Sequence, residues 1–439
     1  MTHPLHTPLA RRQFLSALLA AGGAWAAPMA RAQDRNPDAQ SRLVLVFLRG
    51  AYDGLSAFVP HGDRNYSSLR PNIAIPAPDG GTQTTLRLDD TFGLHPALAP
   101  LLPLWQQGVL AVIPAAGSPD ATRSHFDAQH HWETGIPGSS SASSGWLNTL
   151  AGLRAGGPLS GADTPPGSAG HGNSQATALG VGEANPQILS GSAPVQLVPR
   201  GQAATRQGAM GDAHTREVML KLYAGQDSLS QAFRAGTESR MQTAQTLSAG
   251  MADSGMTAQE MQASNNGAGP AQGLLLDAQH LGTLMRQDRR LRLGFLSAGG
   301  WDTHANQGAA TGALANNLGN LAAALVQLRR DFSRPDDVVL VCSEFGRTTA
   351  ENGTRGTDHG HGNALWLLGN RVNGGRWHGQ WNGLAQGNLH EGRDLPVHHD
   401  FRAVFAQVLR STQGLANAGI DRLFPGFVWD GALDGLMRS

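Results

Sequence analysis

Short apolar runs that end abruptly in acidic or imidazole side chains constrain this sequence more than any other feature. The runs are rich in Val, Leu and Ile and lack strict alternation with polar residues, which favours strands buried on both faces of a parallel sheet. They are Leu43–Leu48, Val109–Ala115, Leu291–Ser297 and Val338–Cys342. We therefore predict an α/β fold, with a mostly parallel central sheet flanked by helices.

Helices are predicted between and after these runs. The segment 97–107 begins after His95-Pro96 and is closed by Gly108, although it contains two prolines. Leucines from Leu314 to Leu328 step by four and three, which is typical of an amphipathic helix with a buried stripe. A final helix is predicted from Phe401, with Asp400 as its N-cap.

Candidate site residues follow the four runs. They are Asp53 after the first, Ser124 and His125 after the second, Asp302 and His304 after the third, and Glu344, Asp358, His359 and His361 after the fourth. Ligands and catalytic groups collect just past the carboxyl ends of strands in open α/β sheets. Carboxylate and imidazole donors together favour a divalent-cation site.

Each of these residues also has an ordinary structural interpretation. Asp53 precedes a glycine and can be a turn residue, and Ser124 can be an N-cap. Glu344 can be the ion-pair partner of Arg347, and the histidines can be solvated loop residues. Polar groups at four run ends together favour the site interpretation over these separate ones.

A helix is predicted to begin near Ser124, where free N–H groups and the helix dipole favour an anion. The neighbouring Arg123 can clamp such an anion with two hydrogen bonds. Ser124 is therefore a candidate nucleophile or metal-facing hydroxyl. Arg123 and Arg347 are candidates for steadying a small anionic ester substrate.

The N-terminal segment has the features of a Tat signal peptide. Arg11 and Arg12 precede an apolar run at 17–27, and an Ala-Arg-Ala site follows at 30–32. We expect cleavage after Ala32, a periplasmic location and the Tat export machinery as a partner. The run is too short to span a bilayer comfortably, so we expect no stable membrane span after signal cleavage.

Composition limits the remaining possibilities. Lys plus Arg and Asp plus Glu both number 33, which gives no argument for a nucleic-acid partner. Cys342 is the only cysteine, so an intramolecular disulfide and a multi-thiolate zinc site are excluded. No P-loop and no G-x-G-x-x-G follows a predicted strand, so no nucleotide cofactor is expected. Residues 41–439 are predicted to form one domain, with a helical and loop insertion at about 155–290.

Four motifs in this order resemble those of the Tat-exported family called domain of unknown function 1501, which belongs with the alkaline phosphatase and sulfatase superfamily. The motifs are FLRGAYDGLSAFVP, RSHFDAQ, GGWDTHANQ and SEFGRTTAENGTRGTDHGHGN. The resemblance runs from about residue 41 to the C-terminus and is weakest across 155–290. It implies an alkaline-phosphatase-like sheet and a two-metal layout.

The resemblance also implies metal ligands. They fall into two groups: Asp53 and Glu344 with the hydroxyl of Ser124 for one ion, and Asp302, His304 and one of His359 or His361 for the other. Asp358 would bind metal or orient a histidine. The superfamily usually has Asp-His where this chain has Glu344-Phe345, so one imidazole is lost. His125 is a candidate to replace it, or the site holds one ion.

Two functions are therefore considered. The first is a periplasmic metal-dependent hydrolase of a phosphate or sulfate ester, with one or two ions. Zinc suits the donor set best, and manganese, magnesium or calcium are alternatives. The absence of Cys-x-Pro-x-Arg and Ser-x-Pro-x-Arg argues against a formylglycine mechanism. The second is a non-catalytic periplasmic binding or assembly protein that retains the fold.

Overall fold

The computed structural model of the chain describes residues 41–155, 176–183, 186–206, 208–250 and 267–438. Strands in these residues are β1 (Leu43–Leu48), β2 (Phe58–Val59), β3 (Leu86–Arg87), β4 (Gly93–Leu94), β5 (Leu110–Gly117), β6 (Ala178–Gly182), β7 (Val195–Pro199), β8 (Leu293–Ala298), β9 (Val338–Cys342), β10 (Asn363–Gly369), β11 (Arg376–Trp377) and β12 (His399–Asp400).

Helices connect and cover the strands. They are α1 (Gly54–Ala57), α2 (Tyr66–Leu69), α3 (Leu102–Gln106), α4 (His125–Thr134), α5 (Trp146–Ala155), α6 (Ala213–Leu222), α7 (Ser228–Gly250), α8 (Leu274–Gln287), α9 (Ala313–Asp331), α10 (Phe401–Gln413) and α11 (Asn417–Leu423). Short 3-10 helices span Pro96–Leu101, Gln187–Leu189, Gly201–Thr205, Gly208–Gly211, Ala271–Gly273 and Gln386–Asn388.

The central sheet has nine strands, in the order β11-β5-β10-β9-β1-β8-β6-β7, with β12 paired to β5. β1 lies between β8 and β9 and is parallel to both. β6 is parallel to β7 and β8, and β11 and β12 are parallel to β5. Among the described strands of this sheet, β10 alone runs against its neighbours, β5 and β9. The predicted α/β class with a mostly parallel central sheet is confirmed.

The core lies on both faces of this sheet. Alternate residues of β1 point to opposite faces: Val44, Val46 and Leu48 to one, and Leu43, Leu45 and Phe47 to the other. On the first face, β1 packs with buried residues of α8 and the predicted leucine stripe of α9. On the second face it packs with buried aromatic residues of α4, α5 and α10. Burial on both faces explains why the strands are apolar throughout.

Strand direction decides where the polar loops lie. β1, β5, β8 and β9 are parallel, so the residues that follow them meet at one edge, which we call the carboxyl edge. Because β10 is reversed, its first residue lies at that same edge, and the loop 358–362 is brought there too. The strand starts of β1, β8 and β9 lie at the opposite edge, which we call the amino edge.

Two predicted segments differ in detail. The predicted helix over 97–107 is a 3-10 helix, Pro96–Leu101, followed by α3. Pro100 and Pro103 lack the N–H group that a continuous helix needs. Gly108 closes the segment with φ +69°. The predicted insertion at about 155–290 includes β6 and β7, so the central sheet itself runs through part of it.

The predicted Tat leader, residues 1–32, lies outside the described residues. Across the part of the chain that is described, no helix has both the length and the apolar character needed to cross a membrane.

Candidate metal centre

Three side chains from separate loops meet at the carboxyl edge. His125, Asp302 and His359 each offer a possible ligand atom, and these atoms lie within 4.8 Å of one another. His125 Nε2 is 3.0 Å from His359 Nε2 and 3.5 Å from Asp302 Oδ2. His359 Nε2 is 3.2 Å from Asp302 Oδ1. The loops after β5 and β8 and before β10 therefore supply one compact group.

His304 joins this group from the solvent side. Its Nε2 atom is 2.9 Å from Asp302 Oδ1 and 3.0 Å from His359 Nε2, and its side chain is 43% exposed. A tetrahedral zinc ion with ligands ~2.0–2.1 Å away separates neighbouring donor atoms by about 3.3 Å. The distances within this four-residue cluster bracket that separation, so the donors fit one ion.

Each of the three imidazoles is anchored through its other ring nitrogen. The acceptors are Glu344 Oε1 for His125 (2.8 Å), the Arg123 carbonyl oxygen for His359 (3.0 Å) and Asp358 Oδ1 for His304 (3.2 Å). An oxygen acceptor at Nδ1 favours the tautomer with its proton there, which leaves a lone pair on Nε2. Three such lone pairs facing a carboxylate repel one another unless a cation or protons lie between them. The arrangement therefore fits a divalent cation.

The charges of the cluster act in the same direction. Burial opposes ionisation of Asp302, but hydrogen bonds from His125, His359 and Arg347 outweigh it and hold the pKa of Asp302 well below its ordinary value. Burial also disfavours a charged His125, yet hydrogen bonds to Asp302 and Glu344 raise the pKa of His125 to about 9. A proton and a metal ion therefore compete for this histidine.

Arg347 fixes the position of Asp302. Its fully buried side chain donates from Nη1 to Asp302 Oδ1 at 2.7 Å. The rest of the guanidinium donates to the Thr357 carbonyl oxygen at 2.7 Å and to Thr357 Oγ1 at 3.1 Å. The interpretation of Arg347 as the ion-pair partner of Glu344 is therefore wrong. The guanidinium is engaged with Asp302 and Thr357 rather than open to an anion.

Glu344 lies behind His125. Its Oε1 atom accepts hydrogen bonds from Gly50 N at 2.8 Å, from Gln129 Nε2 at 2.9 Å and from His125 Nδ1 at 2.8 Å. Ser343 Oγ donates to Oε2 at 2.8 Å. Burial raises the pKa of Glu344, but the hydrogen bond and charge of His125 outweigh it and leave the pKa lowered. Glu344 thus orients the His125 ring and stays outside the ligand group.

Asp53 is buried beside the cluster but is bound by other residues. Its Oδ2 atom accepts from Arg70 Nη1 at 2.6 Å, Gln307 Nε2 at 2.7 Å and Ser56 Oγ at 2.8 Å. Burial raises the pKa of Asp53, but the Arg70 charge outweighs it and leaves the pKa lowered. In the described structure Oδ1 is buried and has no hydrogen-bond partner. Asp53 does not belong to the compact donor group.

Ser124 and Arg123 both have local structural partners. Ser124 is the N-cap of α4, and its Oγ accepts from Asp127 N at 3.4 Å. The Arg123 guanidinium donates to Glu391 at 2.6 Å and to Asp394 at 2.7 Å. Within the described residues, no hydrogen bond joins the Ser124 hydroxyl to the metal-binding cluster.

His361 lies apart from His359 although only Gly360 separates them. Its ring stacks against that of His390, with a centroid separation of 4.6 Å. Burial and then the charge of His390 lower the pKa of His361 to about 4. Of the two histidines that the resemblance offered as alternatives, the structure places His359 in the cluster.

A buried network around Arg49 supports the cluster and was missed in the sequence. Arg49 donates to Glu183 at 2.5 and 3.0 Å, to Glu133 at 2.8 Å and to Gln129 Oε1 at 2.9 Å. Burial alone would lower the pKa of Arg49, but the charges of Glu133 and Glu183 outweigh it and raise the pKa. Gln129 connects this network to Glu344. The available signal was the position of Arg49 directly after β1.

Comparisons with known proteins follow from the sequence and the fold. The profile of a family described as "Protein of unknown function (DUF1501)" matches residues 40–424. No curated protein matches the chain.

Among solved structures, the fold is similar to the PH0037 protein from Pyrococcus horikoshii, with 8% identity, coverage of 75% of this chain and 86% of that one, and a TM-score of 0.33. It is also similar to alkaline phosphatase from the Antarctic bacterium TAB5, with 11% identity, coverage of 86% and 100%, and a TM-score of 0.36. At these TM-scores the likeness is too slight to transfer a reaction or a site.

Proposed function

The chain belongs to the DUF1501 family, and we propose that it is a metal-dependent hydrolase of phosphate or sulfate esters. The ion would be held by His125, Asp302, His304 and His359. One observation carries this proposal: three imidazoles, each anchored through Nδ1 by an oxygen acceptor, turn their Nε2 atoms toward one carboxylate.

The donor chemistry favours zinc. Three imidazole nitrogens and one carboxylate oxygen are typical zinc ligands, whereas magnesium and calcium prefer oxygen donors alone. Manganese, magnesium and calcium remain the alternatives to be tested. We propose a single ion, since Asp53 is bound by Arg70 and Glu344 lies behind His125.

The surrounding residues would prepare the site for an ester. A divalent ion polarises a phosphoryl or sulfuryl oxygen. Arg347 holds the Asp302 carboxylate in position, and Glu344 fixes the His125 ring. His304 and Asp358 are exposed, so the cluster opens to solvent on their side. Ser124, at the start of α4, is the proposed nucleophile.

A second candidate function is that of a non-catalytic binding or assembly protein. Its support is specific: both arginines predicted to hold the anion are engaged elsewhere, Arg123 with Glu391 and Asp394, and Arg347 with Asp302. A site that retains its donors but offers no free cation binds metal without turning over an anionic ester.

The test combines metal analysis with turnover. The full chain is purified without added chelator, its metal content is measured, and aryl phosphates, phosphodiesters and aryl sulfates are assayed. We expect about one equivalent of metal, lost in the double variant Asp302→Ala/His304→Ala. It should be retained in His214→Ala/Asp421→Ala, which removes the same residue types at exposed positions. We expect ester turnover well above that of a Ser124→Ala variant.

The outcomes separate the two functions. Bound metal with turnover no greater than that of the Ser124→Ala variant selects the non-catalytic protein. Metal content that is equally low in the parent protein and both double variants removes the metal site and, with it, the hydrolase.

We also propose that the protein is exported through the Tat pathway to the periplasm. The support is the twin arginine at 11–12, the apolar run at 17–27 and the Ala-Arg-Ala site at 30–32. Replacing Arg11 and Arg12 by lysine should keep the protein in the cytoplasmic fraction. Unchanged export of this variant would contradict the proposal.

A further inference from the structure

The amino edge carries a dense set of arginines. They lie before β1, at the end of α5, from the end of α8 to the start of β8, from the end of α9 to the loop before β9, and after β10. The arginines are Arg42, Arg154, Arg286, Arg289, Arg290, Arg292, Arg329, Arg330, Arg334 and Arg371.

Aspartates neutralise only part of this charge. The aspartates in the same segments are Asp288, Asp331, Asp336 and Asp337. Three of them form ion pairs: Arg290–Asp288, Arg286–Asp331 and Arg371–Asp336. Ten arginines against four aspartates leave a surplus of six positive charges at this edge, although the whole chain is neutral.

The remaining arginines are close enough to affect one another. Burial and then the charge of Arg334 lower the pKa of both Arg42 and Arg292. Burial and then Arg292 lower the pKa of Arg154 to about 10. The favourable interaction of cations with a helix C-terminus can account for arginines in the last turns of α8 and α9. It does not account for Arg289 and Arg334, which lie in loops.

The shape and chemistry of this edge favour a broad anionic partner. Its arginines are spread over several loops and strand starts rather than gathered around one point. Large apolar side chains that are well exposed elsewhere in the described structure are Phe126, Val218, Leu222, Leu229 and Val428, and none belongs to these segments. Protein interfaces depend on buried aromatic and aliphatic anchors, whereas a membrane surface attracts clustered arginines without them.

The chain also reaches this edge from its N-terminal segment. Ser41 and Arg42 precede β1, so residues 1–40 connect to the fold at the amino edge. The apolar run at 17–27 is separated from Ser41 by residues 28–40. Thirteen residues reach at most about 45 Å when extended, so a leader in contact with a bilayer would hold the amino edge near it.

We propose that the amino edge docks on a membrane surface rich in anionic phospholipid. Docking in this way turns the carboxyl edge, with its metal-binding cluster, away from the lipid. The proposal does not depend on the hydrolase activity, since it concerns the opposite edge of the sheet. Each arginine close to an anionic surface contributes ~1 kcal/mol of attraction.

The test uses the full chain and sedimentation with vesicles. Vesicles of phosphatidylcholine alone are compared with vesicles that contain one-third phosphatidylglycerol, at low salt and at 0.5 M NaCl. The test variant is Arg289→Gln/Arg330→Gln/Arg334→Gln. The matched control is Arg64→Gln/Arg206→Gln/Arg355→Gln, which removes the same charge from other loops. Both variants keep the N-terminal segment, so its own lipid affinity cancels.

We expect binding to the anionic vesicles that falls sharply in high salt. The test variant should bind at least tenfold more weakly than the parent protein, and the control should bind like the parent. Equal binding of the two variants, or equal binding to neutral vesicles, overturns the proposal. Binding of polyglutamate but not of anionic vesicles also overturns it and identifies an acidic protein as the partner.

Discussion

Arg49 provides the sharpest test of how the candidate site is supported. Its side chain is fully buried and serves two carboxylates, Glu133 and Glu183. We consider Arg49→Met, which keeps a long side chain and removes the charge and all donors. Two buried carboxylates would then face each other without a cation.

The expected loss follows from the contacts. Arg49 makes four hydrogen bonds, of which three go to carboxylates. Hydrogen bonds to charged groups contribute ~1.5–3 kcal/mol each, but relief from burying the guanidinium offsets part of their sum. Removing one partner of a buried ion pair costs about 3–5 kcal/mol. We therefore expect the free energy of unfolding to fall by about that amount.

Urea denaturation at pH 7, followed by tryptophan fluorescence, measures this change. A triple variant, Arg49→Met/Glu133→Gln/Glu183→Gln, should recover most of the loss because it removes the uncompensated charges. The control Arg206→Met is exposed and should change stability by less than ~0.5 kcal/mol. A cost below about 1 kcal/mol for Arg49→Met, or a triple variant no more stable than the single one, would refute the reasoning.

Three further outcomes are expected. Burial raises the pKa of Asp277 from 3.8 to about 7, so its contribution to stability is full below about pH 4 and is lost as pH rises through 7; Asp277→Asn should therefore be more stable than the parent in urea at pH 8, by roughly 3–4 kcal/mol at ~1.36 kcal/mol per pKa unit, and by less at pH 5. Gly50 has φ +111°, and an added Cβ would lie 2.7 Å from Asp302 N, so Gly50→Ala should lower metal content; Gly236→Ala, with open space around it, should not. Cys342 is fully buried and burial raises its pKa, so iodoacetamide should label it only after unfolding, and labelling of the native protein would contradict the placement of β9.

Much of the fold was predictable because it depends on local pattern. The runs Leu43–Leu48 and Val338–Cys342 are strands with the predicted bounds. The leucine spacing correctly predicts α9, and Asp400 caps α10 by accepting from Arg402 N. Each of these features depends on burial periodicity or on one short-range hydrogen bond. The reversed direction of β10 was not predictable, since its apolar composition is the same in either direction.

The candidate site was predictable as a set of strand ends but not as a set of contacts. Asp302, His304, His359 and His125 were all identified, because polar residues stand out after apolar runs. Which carboxylates face the imidazoles depends on tertiary partners far away in sequence. Asp53 is engaged by Arg70 and Glu344 by Gln129, and neither pairing leaves a trace in the local sequence.

The reversed strand β10 makes assembly of the cluster a late event in folding. His359 enters the site only when β10 has inserted between β5 and β9 in its observed register, and 234 residues separate it from His125 along the chain. A disordered chain cannot bring such distant donors together, so an ion bound there would stabilise the finished structure selectively. Metal uptake would then act as a chemical reporter of native topology, distinguishing correctly threaded molecules from collapsed ones.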